Sequence, residues 1–181
     1  FSKELAERNI DIKWEAYVIL AKEFLDEEYC KTLFEGGCRW LYFGFESGDK
    51  EIVKGMKKGH NVLNTQNVLR NTSKAGIKNH MWIIVGFPGE KIESVYNSVK
   101  FVEENHQYID SLEINQFVLT RHAAIMKDEE WLKYNIKPIF KEGEDLALFY
   151  DYETLDDSIN QSEAKDIVLQ IRDYLFRKYG F

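Results

Sequence analysis

Cysteine and proline are scarce in this chain: its 181 residues include two of each, beside eleven glycines. With no single-residue tract either, this composition excludes a collagen, a disordered tail and a low-complexity scaffold. Cys30 and Cys38 have no Cys or His partner at metal-ligand spacing, so neither a zinc site nor a disulfide framework is legible. They read as small buried hydrophobes of a reduced, cytoplasmic protein. Long apolar runs are missing as well. The longest, residues 40–45 and 81–88, fall far short of the roughly 20 residues that span a bilayer. No cationic leader precedes an apolar segment, and no initiator Met is present. Phe1, Leu5 and Arg8 fall at helical spacing, which reads as a piece of a longer protein that opens inside an amphipathic helix.

Positive charge is in deficit. With 24 basic against 31 acidic residues the net charge is −7, which argues against an affinity based on neutralising nucleic-acid phosphates. Lys54, Lys57, Lys58 and His60 form a local basic crowd that reads as a solvated turn. The four histidines, His60, His80, His106 and His122, are scattered without a second His three to five residues away. His122, next to Arg121, falls past the end of a strand. A phosphate-binding G-x-x-x-x-G-K-[ST], a dinucleotide G-x-G-x-x-G and a G-x-S-x-G elbow are all absent.

What is present is a rhythm. Ile12, Trp14, Ala16 and Val18 alternate within residues 10–20, as in a strand. Asp26 then caps a helix that ends at Gly36 and Gly37. Residues 40–45 read as a strand covered on both faces. Asp49 caps a short helix through Met56, and Asn61 or Asn64 a longer one ending at Gly76. Residues 80–85 make the third strand, 91–105 an amphipathic helix through Ile92, Val95, Val99 and Val102, and 112–119 the fourth strand. Crossovers of this length make parallel, right-handed pairs. The fold expected is therefore α/β, with parallel strand-helix repeats over residues 1–125. Residues 126–181 form an α+β extension, with an acidic and aromatic segment (142–157) containing a strand near 146–152 and a last helix over 161–179.

In such sheets ligands bind beyond the carboxyl ends of the strands. Two of those ends carry acids between glycines: Gly44-Phe45-Glu46-Ser47-Gly48 and Gly86-Phe87-Pro88-Gly89-Glu90. Glu46 can accept hydrogen bonds from an ammonium or from ribose hydroxyls, and the glycines let a flat ring approach the backbone. The pair can also act as acid and base. The plainer alternative is two ordinary strand-to-helix turns, with Glu46 as a capping acid.

Taken in order, residues 35–49 (EGGCRWLYFGFESGD), 53–59 (VKGMKKG), 75–77 (AGI) and 83–90 (IIVGFPGE) resemble the later part of the radical S-adenosylmethionine catalytic domain. The likeness extends over about residues 10–125 and is strongest to the branch holding the tRNA methylthiotransferases and the enzymes with a cobalamin-binding domain. It implies units three to six of a TIM-like partial barrel of six strand-helix units. By the resemblance, Glu46, Ser47 and Gly48 hold the ribose and methionyl part of S-adenosylmethionine. Ile84 and Gly86 touch the adenine, Glu90 supports that turn, and Phe117, Val118 and Leu119 offer backbone groups to the adenine edge.

The departures from the family pattern matter. The three-cysteine motif that ligates the [4Fe-4S] cluster is not in this sequence, Glu90 falls one position later than in the general pattern, and Arg121-His122-Ala123 stands where Pro-Gly-Thr is frequent. The resemblance therefore implies a cluster, and in some relatives cobalamin, held by segments outside this chain. The chain by itself is expected to be inactive, with its substrate unread. The exposed apolar edge at residues 10–20 is expected to pair with a second copy. Two other readings remain: a self-contained α/β module binding a phosphate-bearing ligand at the helix starts near Asp49 and Lys91, and a non-enzymatic interaction domain using residues 142–157.

Overall fold

The computed structural model describes residues 1–59, 62–140 and 148–181. It contains a four-stranded parallel sheet in the order β1-β2-β3-β4: β1 (Trp14–Val18), β2 (Cys38–Glu46), β3 (Lys78–Val85) and β4 (Ser111–Gln116). Helices α1 (Ser2–Glu7), α2 (Glu27–Glu35), α3 (Lys50–Gly55), α4 (Val62–Lys74) and α5 (Ile92–Asn105) precede or join these strands. A second, antiparallel sheet follows in the order β5-β7-β6, with β5 (Leu119–Thr120), β6 (Ile136–Ile139) and β7 (Phe149–Thr154). The chain closes with α6 (Gln161–Tyr179).

Local signals account for the helix boundaries. Asp26 and Asp49 cap α2 and α3 by accepting hydrogen bonds from the amides of Glu28 and Glu51, both at 2.9 Å. Asn160 and Glu163 form a reciprocal capping box that starts α6. Helix α4 begins at Val62; Asn61, one of its two expected caps, lies outside the described residues, as does His60, and Asn64 falls inside the helix.

The main core lies on one face of the parallel sheet. Leu41, Phe43 and Phe45 of β2, Met81, Ile83 and Val85 of β3 and Ile114 of β4 point the same way. They pack against Val68 and Leu69 of α4, Val95 and Val102 of α5, and Ala164, Val168 and Leu175 of α6. The last helix thus finishes the same core that the repeats begin.

The opposite face departs from expectation. The apolar run of β2 is not covered on both sides: Trp40 and Tyr42 remain partly exposed, and their rings stack on neighbouring rings of the sheet. Aromatic side chains read as core in a sequence, yet here they pave an open face.

Two strand limits also differ. The first strand is confined to Trp14–Val18, because Ile10 and Ile12 lie in a turn below Gly37 and Ile19 points away from the ladder with 70% of its surface exposed. The fourth strand, expected through residue 119, ends at Gln116, and Leu119 enters the antiparallel sheet opposite Tyr150. Leu119 is drawn there by a second small core with Ile136 and Tyr152. The strand expected near 146–152 is β7; residues 146 and 147 lie outside the described residues.

Candidate functional site

Parallel strands aim all their carboxyl ends at one rim, so the ends of β2, β3 and β4 bring the sequence candidates into one neighbourhood. Glu46 ends β2 with a positive φ of 66°. That conformation is sterically costly for a residue with a Cβ, and it persists only where its surroundings impose it. The register with β3 slips between Gly44 and Glu46, which turns the Glu46 side chain back along the open face. It lies over Gly44, where an added Cβ would sit 2.6 Å from Oε1. The carboxylate is 5% exposed and its Oε1 pairs with the Lys58 ammonium at 2.7 Å. Lys58 comes from the segment after α3 and is itself half exposed.

Ser47 and Gly48 serve the turn that follows. The buried Ser47 Oγ is 3.3 Å from Ser98 Oγ and accepts from the Asp49 amide at 3.1 Å, while the Gly48 N–H donates to Ser98 Oγ at 2.8 Å. Burial works against the charge of Asp49, but donors from Ser94, the Glu51 and Ile52 amides and Asn97 hold its carboxyl below the usual range. This network ties the start of α3 to α5 and fixes the backbone from which Glu46 projects.

The loop after β3 is built differently. Glu90 is 1% exposed; its Oε2 accepts from the Gly86 N–H at 2.6 Å, and its Oε1 has no hydrogen-bond partner. Burial pushes the carboxyl up to about 7, against the Gly86 and Phe87 amides and the Ser47 hydroxyl, which favour the charged form. Gly86 has φ 83°, and a Cβ there would meet the Ala164 Cβ at 2.5 Å, so α6 can approach only because this position has no side chain. Ile84 sits two residues earlier on the open face, opposite Asn115.

The three candidates after β4 separate. The Phe117 N–H donates to the Val85 carbonyl at 2.7 Å and its ring meets Phe87 edge-on at 5.3 Å. Val118 is exposed between the two sheets, and Leu119 is buried in the second core. Phe87 and Phe117, together with Gly55, Met56, Lys57 and Tyr134, line a rim cavity of about 200 Å³.

Three contributors escaped the sequence reading. Lys58 read as part of a solvated basic turn, and no spacing rule links it to an acid twelve positions earlier. The Tyr152 hydroxyl, pushed up to about 12 by burial, donates to the Gly86 carbonyl at 3.1 Å. The Tyr134 hydroxyl donates to the Gly55 carbonyl at 3.0 Å. Both tyrosines reach the rim from the extension, and no local signal announces them.

No group of three or more His, Cys, Asp or Glu suited to a metal occurs among the described residues. Cys30 and Cys38 are buried, and burial pushes their thiols up to about 11 and about 12, away from the thiolate that a metal takes. No helix among the described residues is long and apolar enough to cross a membrane.

Comparison with known proteins agrees with this geometry. The chain is 29% identical over 103 residues to a protein from Pyrococcus horikoshii described as an uncharacterized methyltransferase, covering 57% of this chain and 22% of that protein. It is 37% identical over 93 residues to a probable threonylcarbamoyladenosine tRNA methylthiotransferase from Methanocaldococcus jannaschii, covering 49% of this chain and 21% of the relative. The chain thus spans about a fifth of the length of these relatives. Among solved structures, the radical S-adenosylmethionine methyltransferase TsrM from Kitasatospora setae, with cobalamin and a [4Fe-4S] cluster bound, superimposes with a TM-score of 0.72 at 14% identity, over 94% of this chain and 39% of TsrM. The coproporphyrinogen III oxidase HemN from Escherichia coli, a radical S-adenosylmethionine enzyme, follows at 0.63 and 15%, over 92% of this chain and 32% of HemN. These likenesses place the sheet in a TIM-like partial barrel. Residues 2–102, more than half of the 181, match the Radical SAM superfamily, and the chain belongs to that superfamily, which uses S-adenosylmethionine and a [4Fe-4S] cluster.

Proposed function

We propose that this chain is the S-adenosylmethionine-holding part of an enzyme that cleaves the cofactor reductively, for methyl or methylthio transfer. The observation that carries the reading is Glu46. A strained, almost fully buried carboxylate already pairs with an ammonium group, Lys58 Nζ, and so is matched in charge and reach to the amino group and ribose hydroxyls of S-adenosylmethionine. When bound, the cofactor supplies the methyl group or the precursor of the adenosyl radical.

The roles of the chain's own residues follow from their surroundings. Glu46 anchors the methionyl and ribose end. Ser47 and Gly48 hold the turn beneath it, with Ser98 as their fixed partner. Ile84 and the Gly86 backbone face the adenine, and Glu90 keeps that backbone in place through the Gly86 N–H. Phe117 and Val118 border the adenine edge; Leu119 contributes only through the backbone, since its side chain is in the second core. The cluster ligands, and any cobalamin-binding domain, belong to segments outside this chain, so the chain alone is inactive. The free edge of β1, with Tyr17 and Ile19 exposed, then takes up the preceding strands of the barrel, or in the isolated chain a second copy.

Relatives support the transfer chemistry: curated ones include tRNA-2-methylthio-N(6)-dimethylallyladenosine synthases, and TsrM has been solved with tryptophan and a cofactor analogue. The test uses the full-length protein, purified without oxygen and loaded with iron and sulfide. We expect 5′-deoxyadenosine or S-adenosylhomocysteine to form under reducing conditions, and Glu46→Gln to weaken S-adenosylmethionine binding on the order of tenfold or more. Unchanged binding in that variant would overturn the assignment.

A further inference from the structure

The loop after β3, residues 86–90, has little of its own to hold it in one shape. Gly86 (φ 83°) and Gly89 (φ 88°) both stand in the left-handed region, where glycine moves freely, and Pro88 has no N–H to donate. Inside the loop the Glu90 N–H donates to the Phe87 carbonyl at 2.8 Å, and the Glu90 carboxylate accepts from the Gly86 amide at 2.6 Å with the Phe87 amide beside it. These bonds leave the Gly86 carbonyl, one end of the peptide plane between Gly86 and Phe87, to another part of the chain.

The extension takes that end. The Tyr152 hydroxyl donates to the Gly86 carbonyl at 3.1 Å, the Ile159 N–H donates to the Glu90 carbonyl at 2.9 Å, and Ala164 packs where Gly86 has no Cβ. Tyr152 is itself held on several sides. It is 5% exposed, its N–H donates to Gln161 Oε1 at 3.1 Å, its ring meets Phe117 edge-on at 5.9 Å, and it stands opposite Pro138 of β6. Burial pushes its hydroxyl up to about 12, so near neutrality it keeps the proton it donates. All three contacts come from residues 152–164, beyond the residues 2–102 that match the superfamily. Of the three, only Tyr152 holds the loop by a polar side-chain atom that a single substitution removes.

We propose that Tyr152 is a positioning residue for the cofactor: its hydroxyl fixes the Gly86–Phe87 peptide plane, so that the β3 loop meets the adenine already ordered and the C-terminal extension becomes part of the cofactor site. The proposal rests on the reading of Ile84 and the Gly86 backbone as the adenine side of an S-adenosylmethionine site. A loop with two left-handed glycines that is ordered only on binding loses affinity to the entropy of ordering, and a loop ordered beforehand does not. Tyr152 touches no part of the cofactor in this assignment and acts through Gly86. Its ring also leans on Phe117, which borders the same adenine edge, so one tyrosine steadies both sides of the slot.

The experiment uses the full-length protein, loaded with iron and sulfide without oxygen, and measures equilibrium binding of S-adenosylmethionine and of 5′-deoxyadenosine, which carries the adenine but no methionyl group. Tyr152→Phe keeps the ring in the second core and removes only the hydroxyl; it weakens both ligands on the order of fivefold. Tyr174→Phe removes a phenol oxygen from the outer side of α6, where it donates to Glu103 at 2.5 Å, and binds both ligands like the parent. Hydrogen exchange supplies the readout that a general loss of stability does not move: in Tyr152→Phe the amides of Gly86, Phe87 and Gly89 exchange faster than in the parent, while those of β7 and α6 keep their rates. Tyr152→Phe that binds both ligands like the parent overturns the inference, as does equal weakening by Tyr174→Phe or faster exchange spread over the whole extension. A parent that binds neither ligand overturns the S-adenosylmethionine reading and the inference with it, whereas a parent that binds both beside an unchanged Tyr152→Phe overturns the inference alone.

Discussion

Glu46 and Glu90 are the same residue type, each at the carboxyl end of a neighbouring parallel strand and each close to glycine, yet the fold treats them in opposite ways. Glu46 is held in a costly backbone conformation and points along the open face, where it pairs with a half-exposed lysine on a connecting segment. Glu90 is sealed beneath its own turn, accepts at its backbone carbonyl from the Ile159 amide at 2.9 Å and holds the Gly86 N–H with its carboxylate. The first arrangement stores strain and keeps a charge available for exchange with a ligand. The second braces a loop and leans towards protonation. An acid at a strand end is therefore a binding group or a brace according to what covers it.

The comparison breaks most sharply at Gly86. Replacing it by alanine forces a Cβ into the positive-φ backbone and against Ala164, so Gly86→Ala should destabilise the protein by about 3 kcal/mol or more, read by chemical denaturation. A loss under 1 kcal/mol would show that α6 moves away freely and that the β3 loop is not braced.

Glu90→Gln sharpens the contrast through pH. The folded-state pKa of Glu90 is raised above its unfolded value, so the stabilisation linked to its protonated form is complete below about 4.5 and is lost as pH rises through about 7. The parent should lose up to about 3 kcal/mol across that window relative to Glu90→Gln, whose uncharged amide keeps an oxygen for the Gly86 N–H. Parallel stability curves for the two proteins would mean that Glu90 is ionised in the fold.

The smallest effect tests Glu46. Substituting glycine removes the left-handed strain and the buried charge together, so Glu46→Gly should raise stability by about 1 kcal/mol while abolishing the S-adenosylmethionine affinity of the full-length protein. A variant that becomes less stable would place Glu46 with Glu90 among the structural acids.

Much of the scaffold was legible along the chain. The caps Asp26, Asp49 and Asn160 and the apolar stripe of α6 are local signals, and local signals survive into the fold. The expected α/β rhythm of parallel strands appears as read, and the ordered segments from residue 35 to residue 90 identified the family. Strand limits at Ile10 and Leu119 misread because an apolar residue looks alike whether it enters a ladder, a turn or a neighbouring sheet. The one-sided cover of β2 misread because aromatic side chains signal burial in a sequence, whereas here they stack on one another.

Periodicity, capping chemistry and motif order are properties of neighbours in sequence, and they determined the element types, the parallel connectivity and the positions of Glu46 and Glu90 at strand ends. Only the tertiary structure decided what those acids do. Lys58, Tyr134 and Tyr152 reach the rim from segments with no fixed spacing to it, and Trp82 meets Tyr17 across an intervening strand because the Gly44 between them carries no side chain. Burial, strain and ring stacking between distant residues are set by how the layers close, which no stretch of the chain records by itself.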